Sequence, residues 1–414
     1  MADKSNEFDI ATQLVHTGER EPPPAGRPTS LPIYASATYT YESMDEIDKV
    51  FAREIPDYIY TRYGNPTVAA FEKVMQTIEG GATACAYSSG MAALHAALLA
   101  CDLKPGATIV ASQDLYGATT NLLNEVFGAF GVKTIAADFS NLDEVRAKAR
   151  EFRPTVLLAE TISNPLLKIC DIDACAVISH DTGARLIIDN TFASPYLCQP
   201  LQHGADLVVH SATKFLGGHG DAMAGVVVSR HQDDGDRLVR VVKLVGGVLS
   251  PWEAHEILRG VKTLAVRMER HCENAKTLAE RLSRDSRVAR VYFSALAASD
   301  QQATAKRMLR EGFFGALVSI ELKDKTRAAA FRFMDALKLC VRATSLGDVF
   351  TSVLHPATAS HRELSAERRS ELGISDGLVR ISVGIESVSD IIADIEQALN
   401  AGASEATEPL AASG

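Results

Sequence analysis

The sequence predicts an α/β protein, with a mainly parallel sheet in a large domain and a smaller α+β domain following it. Two observations predict this. Between Pro66 and Val228, short apolar runs rich in valine and isoleucine alternate with segments of helical period, the pattern of strands joined by helical crossovers. Such crossovers are right-handed and cover both faces of the sheet. Near Gly260 the alternation stops, and a long amphipathic segment leads into a sparser mixture of strands and helices.

Residues 1–65 read as an N-terminal arm, because the first 30 are polar and end in Glu21-Pro-Pro-Pro-Ala-Gly-Arg-Pro, an extended run. Within the arm, Ser43 to Ala52 reads as a short helix with Ser43 and Glu46 as a capping box. The large domain is expected over 66–260. It opens with a helix from Thr67 to Glu79, stopped by Gly80-Gly81. Strands are expected at 84–87, 107–110, 132–135, 155–159, 185–188, 206–209 and 225–228. Helices are expected at 91–100, 119–129, 142–152 and 173–180. Val261 to Leu282 reads as one helix with Leu264, Met268, Cys272, Ala275 and Leu278 on its apolar face. The C-terminal domain is expected over 261–401, with strands at 315–322 and 378–383 and helices at 328–337 and 388–401. Residues 402–414 are small, polar and acidic, and read as a disordered tail.

The chain has 414 residues and a formal net charge of −10. No long basic tract stands out, which argues against nucleic acid as a partner. No apolar run is long enough to cross a bilayer, and the start lacks signal-peptide character; a cytoplasmic location is expected. The seven cysteines are scattered, with no CxxC pair and no Cys/His metal pattern. They read as buried free thiols, and no metal is expected.

Candidate chemistry falls at the carboxyl ends of the expected strands, where open α/β sheets bind ligands. The strand at 206–209 ends in His210-Ser-Ala-Thr-Lys214, followed by Phe-Leu-Gly-Gly-His-Gly220. Alone, Lys214 is a surface lysine in a turn. The buried strand before it and the hydroxyls of Ser211 and Thr213 point instead to a Schiff-base amine beside a phosphate. The strand at 185–188 ends in Asp189, a buried carboxylate that needs a cationic partner; a pyridinium nitrogen is one. Ser88-Ser89-Gly90-Met91 opens a helix and suits a phosphate, although alone it is only a cap. Tyr116 precedes Gly117 and is placed either to stack on a flat ring or to pack. A dinucleotide on Gly217-Gly-His-Gly220 is disfavoured, because the spacing is not GxGxxG.

Taken together, these residues closely resemble the Cys/Met-metabolism, or trans-sulfuration, family of fold-type I pyridoxal phosphate enzymes. The resemblance runs from about His16 to Ala401. It rests on Tyr60-Thr-Arg-Tyr-Gly-Asn-Pro-Thr67, Ser89-Gly-Met91, Glu160-Thr-Ile-Ser-Asn-Pro165, Asp189-Asn-Thr191, His210 to Lys214, Ser345-Leu-Gly347 and Leu378 to Glu386. It implies pyridoxal 5'-phosphate as cofactor and Lys214 as the Schiff-base lysine and proton shuttle. It implies Asp189 as pyridinium partner and Tyr116 as the stacking tyrosine that assists proton transfer. Gly90, Met91, Ser211 and Thr213 match phosphate binders; Tyr60 and Arg62 match a pair that reaches the phosphate from a neighbouring subunit. Arg380 matches the clamp on the substrate α-carboxylate, a task for a planar bidentate donor. Ser345 and Asn164 match residues beside that carboxylate and the cofactor oxygen. Shared sites imply an obligate dimer, most often within a tetramer.

The family shares α- and β-proton removal followed by loss of a γ-substituent. Gly247-Val-Leu-Ser-Pro-Trp-Glu253, Arg270 to Lys276, Ser345 to Asp348 and His355-Pro-Ala look most like methionine γ-lyase and its lyase relatives. Two positions depart. Phe350 stands where the family usually has a glutamate near the substrate's far end, which removes an acceptor for a distal ammonium. Ala118 stands where methionine γ-lyases carry a cysteine, and the loop at 241–247 looks shortened. The resemblance therefore implies γ-elimination on a methionine-, homocysteine- or cystathionine-like amino acid. The alternatives are γ-replacement on an O-acylhomoserine, and a non-catalytic cofactor-binding homologue. The full set of Lys214, Asp189, Tyr116 and Arg380 disfavours the last.

Overall fold

The computed structural model describes residue 26 and residues 28–404. The first 25 residues of the expected arm, residue 27 and residues 405–414 of the expected tail lie outside the described residues. From Tyr34 onward the chain forms one compact unit that holds two sheets. Helix α1 (Met44–Phe51) starts at Ser43, whose hydroxyl accepts the Glu46 N–H. Glu46 itself reaches back to the Glu42 N–H and not to that of Ser43, so the capping box is half-formed. Helix α2 (Pro66–Glu79) begins one residue earlier than expected: Asn65 caps it and Pro66 occupies the first turn, where its missing N–H costs nothing.

The large sheet contains β1 (Thr83–Tyr87), β2 (Thr108–Ser112), β3 (Lys133–Ala137), β4 (Val156–Glu160), β5 (Arg185–Asp189), β6 (Leu207–Ser211) and β7 (Gly225–Ser229). Its order is β1-β7-β6-β5-β4-β2-β3, and only β7 runs against the others. The sheet is therefore mainly parallel, and the carboxyl ends of β1, β4, β5 and β6 share one edge. Val156 to Ala159, Leu186 to Ile188 and Leu207 to Val209 are almost wholly shielded from solvent, because helices cover both faces. On one face lies α3 (Gly90–Ala100), in contact with β6 and β7.

The smaller sheet is β8 (Val288–Tyr292), β9 (Leu317–Leu322), β10 (Val341–Arg342), β11 (Ser352–Leu354) and β12 (Leu378–Ser382), in the order β10-β11-β12-β9-β8. Val318, Ile320, Val379 and Ile381 form a core with Phe333 and Ile395. Beta-strand β12 carries Arg380, a buried cation.

Two expectations need correction. Val261 to Leu282 is not one helix. One helix ends at Val261 and the next runs from Leu264 to Leu282. The break follows Gly260, whose missing side chain lets its backbone approach Gly217: a Cβ there would lie 2.1 Å from the Gly217 oxygen. The predicted apolar face, Leu264, Met268, Cys272, Ala275 and Leu278, is buried as expected. The helix expected from Thr119 starts at Gly117 and widens to π-type turns over Leu122–Phe127, a feature common near functional sites.

Candidate active site

A cavity of about 240 Å³ opens at the carboxyl edge of the large sheet. Most of its wall comes from strand ends and the turns that follow them, with Arg380 entering from the middle of β12. Ser89 caps α3 through the Ala92 N–H, so the first amides of the helix face the cavity edge. Gly90 has to be glycine, since a Cβ would sit 2.7 Å from that of Ser211. That close approach brings a helix N-terminus against the hydroxyl-rich end of β6, a setting that favours an anion.

Lys214 follows on a helix-like turn. Its N–H donates to the Ser211 carbonyl, 3.1 Å, and its carbonyl accepts the Gly218 N–H, 2.8 Å. The amine reaches Ser345, donating to Oγ at 3.1 Å. Burial pushes the ammonium below the usual lysine range, and the Arg380 charge adds to this, opposed by Asp348. A lysine so placed loses its proton more readily than one in water. Thr213 is tied within the chain, exchanging hydrogen bonds with Ala224 at 3.0 and 3.2 Å.

Asp189, at the end of β5, accepts the Thr191 N–H at 3.0 Å. Burial raises its carboxyl above the usual range, while the Thr191 hydrogen bonds oppose the rise. Behind it, His210 is taken up by Glu79, at 2.6 Å. Arg380 donates through Nη1 to Asn164 Oδ1, 2.8 Å, and more weakly to the Ser345 carbonyl, 3.5 Å. Its Nε has no hydrogen-bond partner, and burial lowers the guanidinium to about 10. Tyr116 stands over the cavity with 44% of its surface exposed.

The structure thus brings together Gly90, Met91, Tyr116, Asn164, Asp189, Ser211, Thr213, Lys214 and Arg380 around one cavity, with Ser345 joined to it through Lys214. It does not bring Tyr60, Arg62, Ala118 or Phe350 into that wall. Arg62 lies 5.3 and 4.8 Å from the Tyr60 and Tyr63 ring centres and donates to the Lys243 carbonyl.

Sequence reasoning passed over Glu160 as a site residue. It ends β4, in register with Asp189 on β5. Its Oε1 accepts the Tyr116 N–H at 2.7 Å, while Oε2 is buried with no partner. Burial first, and then the Asp189 charge, push this carboxyl well above the usual range. A glutamate at a strand end reads as a solvated terminus, so its place in Glu160-Thr-Ile-Ser-Asn-Pro165 was the only signal available.

These residues fit pyridoxal phosphate. Asp189 is a buried carboxyl awaiting a cation, Gly90 opens a cradle that any Cβ would fill, and two buried polar atoms, Glu160 Oε2 and Arg380 Nε, point to a polar guest. The α/β sheet with a lysine, a carboxylate and a phosphate cradle at its carboxyl edge defines a fold-type I pyridoxal phosphate enzyme. The family model described as Cys/Met metabolism PLP-dependent enzyme matches residues 11–400, and the chain belongs to that family. It is 44% identical over 372 residues to an L-methionine gamma-lyase of Fusobacterium nucleatum subsp. nucleatum, covering 89% of this chain and 93% of that protein. It is 37% identical to a cystathionine beta-lyase of Lactococcus lactis subsp. cremoris, covering 94% and 98%. Among solved structures, cystathionine gamma synthase from Xanthomonas oryzae pv. oryzae, in complex with aminoacrylate and cysteine, superposes with a TM-score of 0.85. Its identity is 38%, over 92% of this chain and 94% of that one.

Proposed function

We propose that the chain is a carbon–sulfur lyase that performs γ-elimination on a methionine-, homocysteine- or cystathionine-like amino acid. The products are a 2-oxo acid, ammonia and the released γ-substituent. The observation that carries this reading is the placement of the Lys214 amine and the Arg380 guanidinium around one cavity, linked through Ser345. Arg380, with Nε unpartnered and Nη1 held by Asn164, is oriented to take a carboxylate. Its charge fixes the substrate's α-carbon beside Lys214. Lys214, with its proton loosened by burial, takes the α-proton and returns protons farther along the chain. When bound, pyridoxal phosphate supplies the electron sink for the charge left by proton removal. Asp189 would hold the cofactor's ring nitrogen, and the α3 N-terminus with Ser211 would hold its phosphate. Tyr116, its backbone N–H held by Glu160, would cover the ring and assist proton transfer.

The methionine and cystathionine lyase relatives support elimination. The synthase neighbour supports a second reading, γ-replacement on an O-acylhomoserine, since the same acid–base groups serve both outcomes. Incubation with methionine, homocysteine, cystathionine and O-acetylhomoserine decides between them. Elimination gives 2-oxobutanoate without added thiol; product formed only when a thiol is present overturns it.

The proposal extends to assembly in the cytoplasm as a tetramer built from dimers, with Tyr60 and Arg62 completing the partner's phosphate site. Tyr60 is 39% exposed and outside its own cavity, which supports the exchange. Mixing inactive Lys214→Ala and Arg62→Ala chains then restores part of the activity. Failure to do so after subunit exchange argues against shared sites. Division near residue 260 into large and small domains belongs to the same proposal.

A further inference from the structure

The turn Ser345 to Val349 is seated on the backbone that carries the reactive lysine. Gly347 (φ +81°) meets it so closely that a Cβ would lie 2.6 Å from the Phe215 nitrogen and 3.0 Å from the Lys214 carbonyl carbon. The Val349 N–H donates to the Gly218 carbonyl at 2.9 Å. Ser345 at one end of this turn accepts from Lys214 Nζ. Asp348 is 1% exposed, and its Oδ1 is buried without a hydrogen-bond partner. Both of its oxygens lie 3.4–3.6 Å from where a Gly220 Cβ would stand. Burial raises this carboxyl above the usual range, and the Lys214 charge opposes the rise across a gap too wide for an ion pair. The charged and titratable groups that act on it are Lys214, Asp221 and His219, with the Ser345 hydroxyl; those that act on Lys214 are Arg380 and Asp348. Lys214 is the strongest of the attractive influences on Asp348.

We propose that Asp348 is a positioning residue for Lys214: its buried carboxylate is the counter-charge that keeps the free amine protonated beside Ser345 against the opposing charge of Arg380. The inference rests on the reading of Lys214 as the reactive amine. It gives the lysine a defined resting place whenever it is not joined to the cofactor. Arg380 and Asp348 then pull its proton affinity in opposite directions.

The test uses cofactor-free protein. Carbamylation of Lys214 by cyanate, followed across pH by peptide mass spectrometry, reports the fraction of unprotonated amine. Asp348→Asn moves the midpoint to lower pH by roughly one unit, as removal of one near charge does, so modification near neutral pH speeds by about tenfold. Asp348→Glu restores the midpoint in part. If Asp348→Asn does not give folded protein, Asp348→Ser is read in its place with the same expected direction. An unchanged midpoint in the folded variant overturns the inference. Borohydride trapping of the cofactor on the wild-type protein separately tests the underlying reading. A label elsewhere than Lys214 overturns that reading, whatever the cyanate result.

Discussion

Replacing Gly90 by alanine strikes the proposed phosphate cradle with the smallest possible change. The new methyl carbon would lie 2.7 Å from Ser211 Cβ and 2.9 Å from its Oγ. Ordinary van der Waals contact for such a carbon begins near 3.4 Å, so about 0.7 Å of overlap must be relieved. Neither neighbour gives easily, because Ser211 ends the buried strand β6 and α3 packs against β6 and β7. Over-packing of this kind costs about 1–3 kcal/mol. Relief comes by moving the helix start away from β6, which widens the cradle. The cofactor dissociation constant, read by titrating apoenzyme and following visible absorbance, rises about 5- to 150-fold. Gly128→Ala serves as control: its methyl would meet only the Leu123 carbonyl at 3.7 Å, and cofactor affinity stays as it was. Equal cofactor affinity in Gly90→Ala and the wild type would refute the idea that this contact shapes the phosphate site.

Arg380→Met leaves cofactor affinity near the wild-type value but removes the carboxylate clamp. The loss of about 1.5–3 kcal/mol in charge-assisted bonding appears as a roughly 10- to 150-fold fall in kcat/KM, and an unaltered kcat/KM speaks against the assignment. Gly347→Ala forces a side chain against the Lys214 backbone at a left-handed φ; it lowers cofactor incorporation, which absorbance per chain measures, and full incorporation contradicts the close seating. Stability should fall on acidification. Burial lowers His271 and His361 to about 4, so the unfolded chain takes up protons near pH 6.5 that the folded chain refuses until about 4. The loss begins below pH 6.5, grows until about pH 4, and amounts to at most about 3 kcal/mol for each imidazole. His271 donates from Nδ1 to the Val383 carbonyl, a bond that glutamine can keep. Urea midpoints of His271→Gln therefore depend less steeply on pH between 6.5 and 5 than those of the wild type; equal slopes contradict the buried neutral imidazole.

Much of the large sheet was legible because its strands are buried on both faces. Leu186 to Ile188 and Leu207 to Val209 announce themselves as apolar runs, and Asp189 and Lys214 stand out where the runs stop. The smaller sheet was less legible. Beta-strand β8 exposes Ala289 and Arg290 and carries an irregular register, while β10 has only two residues, so neither makes a pattern long enough to see. The helix Gln232–Val245 hides behind a first turn of charged residues. Contacts such as Arg380 with Asn164 join residues 216 positions apart; only the resemblance to a family could suggest them. Glu160 and Asp348 were missed because a carboxylate in isolation reads as a solvated side chain, and only the fold reveals that each has a buried, unpartnered oxygen.

The central claim is that Lys214 is the amine to which the cofactor is joined. Reduction of the holoenzyme with borohydride, digestion and peptide mass spectrometry test it most directly. The account predicts a single phosphopyridoxyl-labelled peptide with the modification on Lys214, and no visible cofactor absorbance joined to lysine in Lys214→Ala. A label on any other lysine, or that absorbance persisting in Lys214→Ala, contradicts it.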